Sequence, residues 1–286
     1  MIVDAHHQIW DPATRRHAWL TSLPRLRRPF GLADYAEAAD GQGITASVLV
    51  QVLTSSRETE ELLALAAGPA RTPVPVAGVV GWADLTRNDV RAELDRLRAL
   101  PGGDRLVGIR HLVQDQSDPA WLARPDVRRG LQAVGDAGLV FDLLVRPSQL
   151  PAALRVSTEL DGVRFVLDHA GKPEIAEGRL EPWAGLIGEM AGLPNVTCKL
   201  SGLVTEAGPD WTAEDFVPYL DRLIESFGPG RLMFGSDWPV CTLAASYGEV
   251  VALARRLLEP RLNDAERDLV FRLTAIDTYR LKSPAH

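Results

Sequence analysis

Residues 140–145 read Val-Phe-Asp-Leu-Leu-Val, and this short run decides which fold the sequence predicts. Its apolar residues stand on consecutive positions rather than on alternate ones, and residues 48–53, VLVQVL, repeat the pattern. Strands that are buried on both faces have this composition, and such strands belong to parallel sheets that helices cover. The sequence therefore predicts an α/β protein with a parallel sheet.

Short apolar segments of the same kind recur along the whole chain. Helical periodicity lies between them, for example over residues 57–68, 126–138 and 213–228. Repeats of roughly 25 to 45 residues suit βα units, and eight strands close more naturally into a barrel than into an open sheet. We predict one domain over residues 1–286, a distorted TIM (β/α)8 barrel with closing helices after Leu262. The predicted strands are Ile2–Ala5, Ala46–Val52, Val74–Trp82, Leu106–Leu112, Leu139–Val145, Val163–Asp168, Asn195–Leu200 and Arg231–Ser236.

Length, composition and charge agree with this fold and exclude some functions. The chain has 286 residues, 46% of them apolar and 24% charged, so it can bury a large core. A net charge of -7 argues against binding to nucleic acid or to acidic membranes, since both need a basic face. No apolar run approaches the roughly 18 residues of a membrane span, and the first residues do not resemble a signal peptide. We therefore expect a cytoplasmic protein, and the sequence leaves homo-oligomer formation open.

Polar side chains gather at the predicted strand ends, where TIM barrels build their active sites. Four of the six histidines lie there, namely His6, His7, His111 and His169. A lone histidine after a strand is usually a structural residue, but four on one rim predict a catalytic site. The other polar residues at these ends are Asp4, Gln8, Gln51, Trp82, Asp84, Arg110, Gln114, Asp142, Asp168, Lys172, Lys199, Ser201, Ser236 and Asp237.

Three of these residues have the chemistry of a metal site. His6, His169 and Asp237 could bind one divalent cation, since neutral imidazole and carboxylate are good ligands of Zn²⁺. Asp237 could instead act without a metal, as a general base that takes a proton from water. Arg110 and His111 could polarise a carbonyl group or hold carboxylate or hydroxyl groups.

Aromatic and charged residues of the same rim are candidates for binding a substrate. The tryptophans could pack against the CH groups of a sugar, or they could cap the barrel core. The lysines could hold the substrate or pair with carboxylates of the rim. The aspartate could orient a neighbouring histidine or bind a substrate hydroxyl group. These candidates are Trp10, Trp82, Asp142, Lys172, Lys199 and Trp238.

Seven segments in this order resemble the amidohydrolase superfamily, and more narrowly the amidohydrolase-2 group of sugar lactonases that includes L-fuconolactonase and L-rhamnonolactonase. The resemblance covers nearly the whole chain. It implies a distorted TIM barrel and the hydrolysis of a cyclic ester. The segments are DAHHQIWDP (4–12), GWADL (81–85), VGIRHLVQDQSDPAWLARPDVRRGL (107–131), FDLLVRPSQLP (141–151), FVLDHAGKP (165–173), CKLSGL (198–203) and RLMFGSDWPV (231–240).

One position departs from the pattern of the superfamily. The resemblance implies a His-x-His pair on the first strand, a histidine on the sixth and an aspartate on the eighth. His6, His169 and Asp237 match, but Gln8 stands where the second histidine is expected. An amide oxygen is a weaker ligand of Zn²⁺ than imidazole, and some lactonases of this group are thought to work without a metal. We therefore expect either no required cofactor or one divalent ion, with Zn²⁺ the first choice, held by His6, Gln8, His169 and Asp237.

The resemblance implies a small sugar (aldono) lactone as substrate, with neither nucleic acid nor membrane as a partner. In the predicted mechanism Asp237 activates water, and His169, His111 or Arg110 stabilises the charge on the carbonyl oxygen. Two alternatives remain open. One is a metal-dependent decarboxylase or hydratase of a small carboxylic acid on the same scaffold. The other is a relative that binds its ligand without catalysis.

Overall fold

Eight parallel strands pair in sequence order and form a nearly closed barrel in the computed structural model, which describes residues 1–68 and 72–282. This arrangement confirms the predicted α/β TIM-barrel fold, although residues 69–71 and 283–286 of the predicted domain lie outside the described residues. The strand bounds differ from the predicted ones by one or two residues. The strands are β1 (Ile2–His7), β2 (Ile44–Val50), β3 (Val76–Gly81), β4 (Leu106–His111), β5 (Val140–Leu143), β6 (Arg164–Leu167), β7 (Val196–Leu200) and β8 (Leu232–Phe234).

Helices alternate with the strands and cover the outside of the barrel. The predicted helices end where their glycines stand, since Gly138 and Gly228 have φ of 69° and 66°, a left-handed conformation that suits the residue after a helix. The helices of the described part are α1 (Leu32–Ala39), α2 (Ser56–Ala67), α3 (Val90–Ala99), α4 (Pro125–Asp136), α5 (Leu150–Glu159), α6 (Trp183–Ala191), α7 (Leu203–Ala207), α8 (Ala213–Phe227), α9 (Tyr247–Leu258), α10 (Asp264–Asp268) and α11 (Thr274–Tyr279), with a π-helical turn at Leu269–Leu273.

The inside of the barrel is filled by small and β-branched side chains, which is typical of the fold. The last segment of the described chain packs against this cluster, through Ala275 and Tyr279 of α11 and through Leu281 beyond it. The predicted closing helices are therefore present, and α11 contributes side chains to the barrel interior. The strand residues of this interior cluster are Val3, Ala5, Ala46, Val48, Val50, Ala77, Val80, Val140, Val166 and Met233.

The seam between β1 and β8 is closed mainly at the carboxyl ends of these two strands. There the amide of Gln8 donates to the carbonyl of Trp238 (2.7 Å), and the amide of Asp237 donates to the carbonyl of His6 (2.8 Å). These bonds bring the ends of the first and last strands together. The seam therefore passes through the residues that the sequence predicts to be functional.

The segment after β1, residues 11–30, covers this end of the barrel. It contains two short 3₁₀ turns, Ala18–Ser22 and Pro24–Leu26. It is anchored by a two-way backbone bridge between Trp10 and Phe30. Within the described residues, none of the helices combines the length and the hydropathy that crossing a membrane would require.

Candidate active site

A β-bulge in the first strand decides which histidine faces the barrel axis. The pairing of β1 with β2 shifts register between Asp4 and His7. Side chains after this bulge therefore alternate between the two faces of the strand in the opposite order from those before it. His6 consequently turns inward. His7 turns outward, where its Nε2 lies 3.0 Å from the hydroxyl of Ser47 and its ring stacks on Tyr35 at 3.8 Å. The rings of the adjacent residues His6 and His7 therefore lie on opposite faces of the barrel wall.

The turns after β6 and β8 hold their functional side chains in an unusual backbone conformation. His169, Ala170 and Lys172 after β6 have φ of 54°, 51° and 56°, and Asp237 after β8 has φ of 56°. Residues other than glycine rarely adopt this left-handed backbone conformation, which costs about 1 kcal/mol or more per residue. Such strain is common at active sites, where the surrounding structure imposes it.

His6, His169 and Asp237 lie close together at the carboxyl ends of the strands and form the floor of the site. Asp237 Oδ1 lies 3.7 Å from His6 Nε2 and 3.8 Å from His169 Nε2, and the two imidazole rings are 4.6 Å apart. His169 Nδ1 lies 2.8 Å from the hydroxyl of Ser201. Gly202 makes this packing feasible, because a Cβ there would lie only 2.7 Å from His169 Nδ1. One carboxylate thus lies within reach of two imidazoles.

Burial sets the charge of these three groups. It lowers the pKa of His6 to about 3 and that of His169 well below the usual range, so both imidazoles are neutral near pH 7. Burial also raises the pKa of Asp237 to about 7, although the charges of Lys172 and Arg110 act in the opposite direction. A carboxyl group that titrates near neutrality can both accept and return a proton.

A layer of buried charges lies against this floor. Lys199 Nζ lies 2.6 Å from Asp142 Oδ2 and 2.9 Å from Asp168 Oδ1, while Arg110 donates to Asp168 Oδ2 at 3.1 Å. Two positive and two negative side chains therefore balance. Burial acts to raise the pKa of Asp168, but Lys199, His6 and Arg110 outweigh it and hold that pKa well below the usual value. Asp168 is consequently an anion.

The neighbours of His6 determine its tautomer. Arg110 can only donate, and its Nη1 lies 3.2 Å from His6 Nε2, so this nitrogen is the acceptor. Nδ1 faces a second donor, Lys199 Nζ at 3.3 Å, and a carboxylate acceptor, Asp168 Oδ1 at 3.5 Å. We assign the proton of the neutral ring to Nδ1, because Asp168 can accept it there. Arg110 also donates to the backbone carbonyl of Gln51, which fixes its guanidinium group.

A cavity of about 330 Å³ opens above these residues and is large enough for a small ligand. Its lining includes Gln8, Arg110, His169, Lys172 and Asp237 of the predicted set. Lys172 also pairs with Glu206, at 3.3 Å. The covering segment 11–30 contributes Trp19, Ser22 and Leu23 to the same cavity.

His111 and Trp82 form a separate group beside this cavity. The indole of Trp82 donates to His111 Nδ1 (3.0 Å), and the imidazole stacks on Trp121 at 4.2 Å. Because Nδ1 accepts, the ring proton is on Nε2, which requires that Gln116 present its amide oxygen there. Burial lowers the pKa of His111 to about 4. The structure therefore places His111 as a neutral, stacked side chain outside the lining of the cavity.

The other two tryptophans lie in an aromatic cluster beneath residues 11–30. Trp10 donates to the carbonyl of Leu26 (3.1 Å) and packs edge-on against Phe30. Phe30 packs in the same way against Trp238. Both tryptophans are buried and neither lines the cavity. Asp142 and Lys199 are also fully buried and lie outside its lining.

Donor atoms for a metal ion are present, but two of the residues already contact a positively charged side chain, since His6 Nε2 faces Arg110 and Asp168 contacts Arg110 and Lys199. His6, Asp168 and His169 offer ligand atoms within 4.8 Å of one another, and Asp237 contacts both histidines. Neutral imidazole and carboxylate suit Zn²⁺. Asp168 already holds Lys199 and Arg110, whereas Asp237 has no Lys or Arg within 4.0 Å in the described part of the chain. Asp237 is thus the better third ligand. The donor types fit a divalent ion, provided that Arg110 moves away from His6 Nε2.

Three contributors to this site received no role from the sequence, namely Asp168 and Ser201, which were counted only among the polar residues at strand ends, and Tyr279, which was not considered. Asp168 had a signal, because it stands two positions after Val166 and so faces the same side of β6. Ser201 also stands at a strand end, two positions after Lys199. Tyr279, whose hydroxyl contacts both carboxylate oxygens of Asp142, comes from α11 and carries no signal in its own neighbourhood.

Comparison with known proteins finds relatives over nearly the whole chain. The sequence model of the family described as Amidohydrolase matches residues 3–281. The L-fucono-1,5-lactonase of Burkholderia ambifaria is 37% identical over 287 residues, which cover 99% of this chain and 97% of that protein. The L-fucono-1,5-lactonase of Burkholderia multivorans is 39% identical over 300 residues, with the same coverage of 99% and 97%.

A solved structure is similar over the same extent. It is the crystal structure of an amidohydrolase from Burkholderia multivorans with bound zinc, with a TM-score of 0.90 and 38% identity. The match covers 99% of this chain and 100% of that one. The likeness therefore extends over the barrel and its closing helices.

Proposed function

This chain belongs to the amidohydrolase family, and on that premise we propose that it hydrolyses a sugar-derived (aldono) lactone by attack of water on the ester carbonyl. The full-length relatives are named as lactonases, which are carboxylic ester hydrolases, and this supports an enzyme of the same type. The observation that carries the proposal is the carboxyl group of Asp237. It lies at the floor of a ligand-sized cavity, between two neutral imidazoles, and burial raises its pKa to about 7.

Asp237 acts as the general base in the proposed reaction. It takes a proton from a water molecule that lies between it and His6 or Gln8, while the water oxygen bonds to the lactone carbonyl carbon. The ring C–O bond then breaks, and the proton held by Asp237 passes to the departing ring oxygen. The product is an open hydroxy acid, and the carboxyl group of Asp237 is again ionised.

The negative charge on the carbonyl oxygen is stabilised by Arg110 or His169. If the hydroxyl of Ser201 donates to His169 Nδ1, the ring proton lies on Nε2, which faces the cavity floor and can donate to that oxygen. The guanidinium group of Arg110 is fixed by Asp168 and by the Gln51 carbonyl, so it needs little reorganisation. His111, the third candidate of the sequence, would have to reach across from its stack on Trp121.

Lys172 is the substrate-binding candidate that the cavity favours. It lines the cavity, and its ammonium group can hold a ring hydroxyl while it remains paired with Glu206. The other candidates do not line the cavity, so they would affect substrate binding only through the residues that do. They are Trp10, Trp82, Trp238, Asp142 and Lys199.

The reaction as proposed does not require a metal. A divalent ion, when bound, would be held by His6, His169 and Asp237 with Gln8 beside them, and would polarise the ester carbonyl as a Lewis acid. A lactone is an activated ester, and Arg110 already presents a positive charge at His6 Nε2. The residues of the chain therefore supply the base and the charge stabilisation themselves.

A pH-indicator assay against a panel of sugar 1,4- and 1,5-lactones tests this function, because each turnover releases an acid. We expect turnover by the wild-type protein and a loss of kcat of at least about 10²-fold in Asp237→Asn, with little change in KM. Asp161→Asn, at an exposed position, is the matched control. Near-wild-type turnover by Asp237→Asn would exclude this residue as the base.

Two further measurements separate the alternatives. Turnover of aromatic or unsaturated acids is followed by their absorbance, since decarboxylation and hydration do not release an acid. Turnover of aromatic or unsaturated acids, without turnover of any lactone, would identify a decarboxylase or hydratase. Binding of lactones without turnover, in protein loaded with zinc as well as in protein stripped of metal, would identify a ligand-binding relative.

A further inference from the structure

The closing helix α11 reaches from the base of the barrel towards the active site. Its Tyr279 is 2% exposed and belongs to the cluster of side chains that fills the barrel interior. The ring lies against Gly108 of β4, where a Cβ would be 3.6 Å from it, an ordinary van der Waals distance. Tyr279 thus lies inside the barrel, in the same cluster as side chains of the first strand.

The hydroxyl of Tyr279 begins a continuous series of buried polar contacts. It donates to the carboxylate of Asp142, whose two oxygens lie 2.9 and 2.8 Å away. Asp142 in turn accepts from Lys199 Nζ at 2.6 Å. Lys199 Nζ also lies 5.3 Å from the centre of the Tyr279 ring, so the ring and its hydroxyl both favour the same position of the ammonium group.

The series continues to the residues of the cavity floor. Lys199 Nζ lies 2.9 Å from Asp168 Oδ1, and that oxygen faces His6 Nδ1 at 3.5 Å. Lys199 Nζ also lies 3.3 Å from His6 Nδ1, so it contacts the ring directly as well as through Asp168. His6 Nε2 then lies 3.7 Å from Asp237. A carboxylate at the inner nitrogen of an imidazole fixes the tautomer and the orientation of that ring. Asp168 therefore orients His6, and Lys199 orients Asp168.

Burial decides what the members of this series can do. Asp142, Lys199 and Asp168 are completely buried, and none of them lines the cavity. They cannot touch a ligand there, so any effect they have on the reaction must pass through His6 or through Arg110, which Asp168 also contacts. Replacement of buried charges by apolar residues is often neutral or stabilising, so the free energy of folding alone does not account for this set.

We propose that Tyr279, Asp142 and Lys199 form a positioning column that holds Asp168 and His6 in their working orientation, which makes the closing helix part of the active-site machinery. The proposal rests on the proposed function in so far as activity is its readout. Tyr279, Asp142 and Lys199 are positioning residues in this scheme, because none of them contacts the reacting atoms.

The first test removes a single hydroxyl group. We expect Tyr279→Phe to lower kcat about tenfold or more while KM stays within about twofold, since the loss of an orienting partner typically costs 10- to 100-fold. Tyr219→Phe is the matched control, because Tyr219 is also buried but its hydroxyl donates, among the described residues, only to the Glu174 carbonyl, at 3.3 Å. Equal kcat in the two variants and the wild type would overturn the proposal.

The second test separates positioning from stability. Lys199→Met alone leaves two carboxylates without their shared partner and is expected to lower the melting temperature strongly. The double variant Asp142→Leu with Lys199→Met removes the buried pair and should recover most of that temperature, yet its kcat should stay about tenfold or more below the wild type. Recovery of kcat together with stability would mean that the column only fills space.

A third readout does not need turnover. The ring nitrogens of His6 can be followed by ¹⁵N NMR and assigned by the loss of their signals in His6→Gln. We expect these signals to move in Tyr279→Phe and to stay in place in Tyr219→Phe; unchanged signals in both variants would overturn the column. A wild-type protein without lactone turnover would contradict the proposed function only, and the NMR result would still decide the positioning role.

Discussion

At the scale of single residues, Asp4 joins the first and last strands of the barrel. Its Oδ1 accepts from the amides of His6 (3.1 Å) and Ser236 (2.8 Å). Its Oδ2 accepts from the hydroxyls of Tyr35 and Tyr247, each at 3.0 Å, and from that of Ser236 at 2.6 Å. Five donors therefore converge on one buried carboxyl group, and three of them belong to His6 and Ser236 at the seam beside the active site.

Asp4→Asn tests this role of the carboxylate. The amide keeps one acceptor oxygen and turns an NH₂ group towards donors, so at least one buried donor loses its partner. We expect a loss of about 2–4 kcal/mol in the free energy of unfolding, since each unsatisfied buried group costs about 1–3 kcal/mol. Urea denaturation measures this, with Asp161→Asn as the control. A loss no larger than that of the control would contradict the account.

The contacts of Gln8 and Arg110 lead us to expect that removal of metal has little effect on lactonase activity. The side-chain NH₂ of Gln8 donates to the Gln51 carbonyl (3.1 Å), and Arg110 already faces His6 Nε2. We expect dialysis against a strong chelator to leave at least about half of the lactonase activity, because the stabilising charge comes from Arg110. Turnover and metal content are measured on the same sample. Loss of activity that added Zn²⁺ restores would show that the ion is required.

At the scale of elements, helix α2 ties down the loop that follows β2. Glu58, in the first turn of α2, accepts from the backbone amides of Val52 (3.0 Å) and Leu53 (2.8 Å) and is 4% exposed. Burial raises the pKa of Glu58 to about 7, although the two amides act against this shift. The native state therefore keeps a proton that the unfolded chain, with a pKa near 4.5, releases at lower pH.

The sign of the pH effect follows from these two values. Between about pH 4.5 and pH 7 the unfolded chain binds fewer protons than the native state, so stability falls as pH rises through this window. Glu58→Gln cannot ionise and keeps an acceptor oxygen. From pH 5 to pH 8 we expect the wild type to lose about 2–3 kcal/mol relative to this variant. Urea denaturation at both pH values measures the difference, and a constant difference would refute the assigned burial effect.

At the scale of the whole molecule, α11 completes the barrel that it closes. Ala275, Tyr279 and Leu281 cover an interior formed by strands from the rest of the chain. Truncation after Leu273 would expose that interior to water and remove the positioning column. We expect such a protein to lose its cooperative thermal transition in circular dichroism. Wild-type melting of the truncated chain would show that the barrel is stable without this helix.

A milder variant tests the same role without removing the helix. Leu281 is 7% exposed and packs in the interior cluster. We expect Leu281→Ala to fold but to lose about 2–4 kcal/mol in the free energy of unfolding, since deletion of buried methyl groups in a packed core costs this much. Exposed Leu65→Ala, on α2, is the control and should change stability far less.

The sequence by itself determined the fold class and the rim on which the polar residues lie. Runs of consecutive apolar residues, such as residues 140–145, indicate a strand that is buried on both faces. Six residues are enough to show this pattern. The position of His169 and Asp237 directly after such runs was enough to predict the same end of the barrel for both. Local patterns suffice here because burial is a property of each element.

Only the tertiary structure decided which side chains act together. The bulge between Asp4 and His7 turns His6 inward, and no window of the sequence reveals a change of parity. The stack of His111 on Trp121, and the contact of Tyr279 with Asp142 across 137 residues, also depend on the closed barrel. The physical reason is that a contact depends on register and distance in space, whereas a sequence pattern records only what each segment buries.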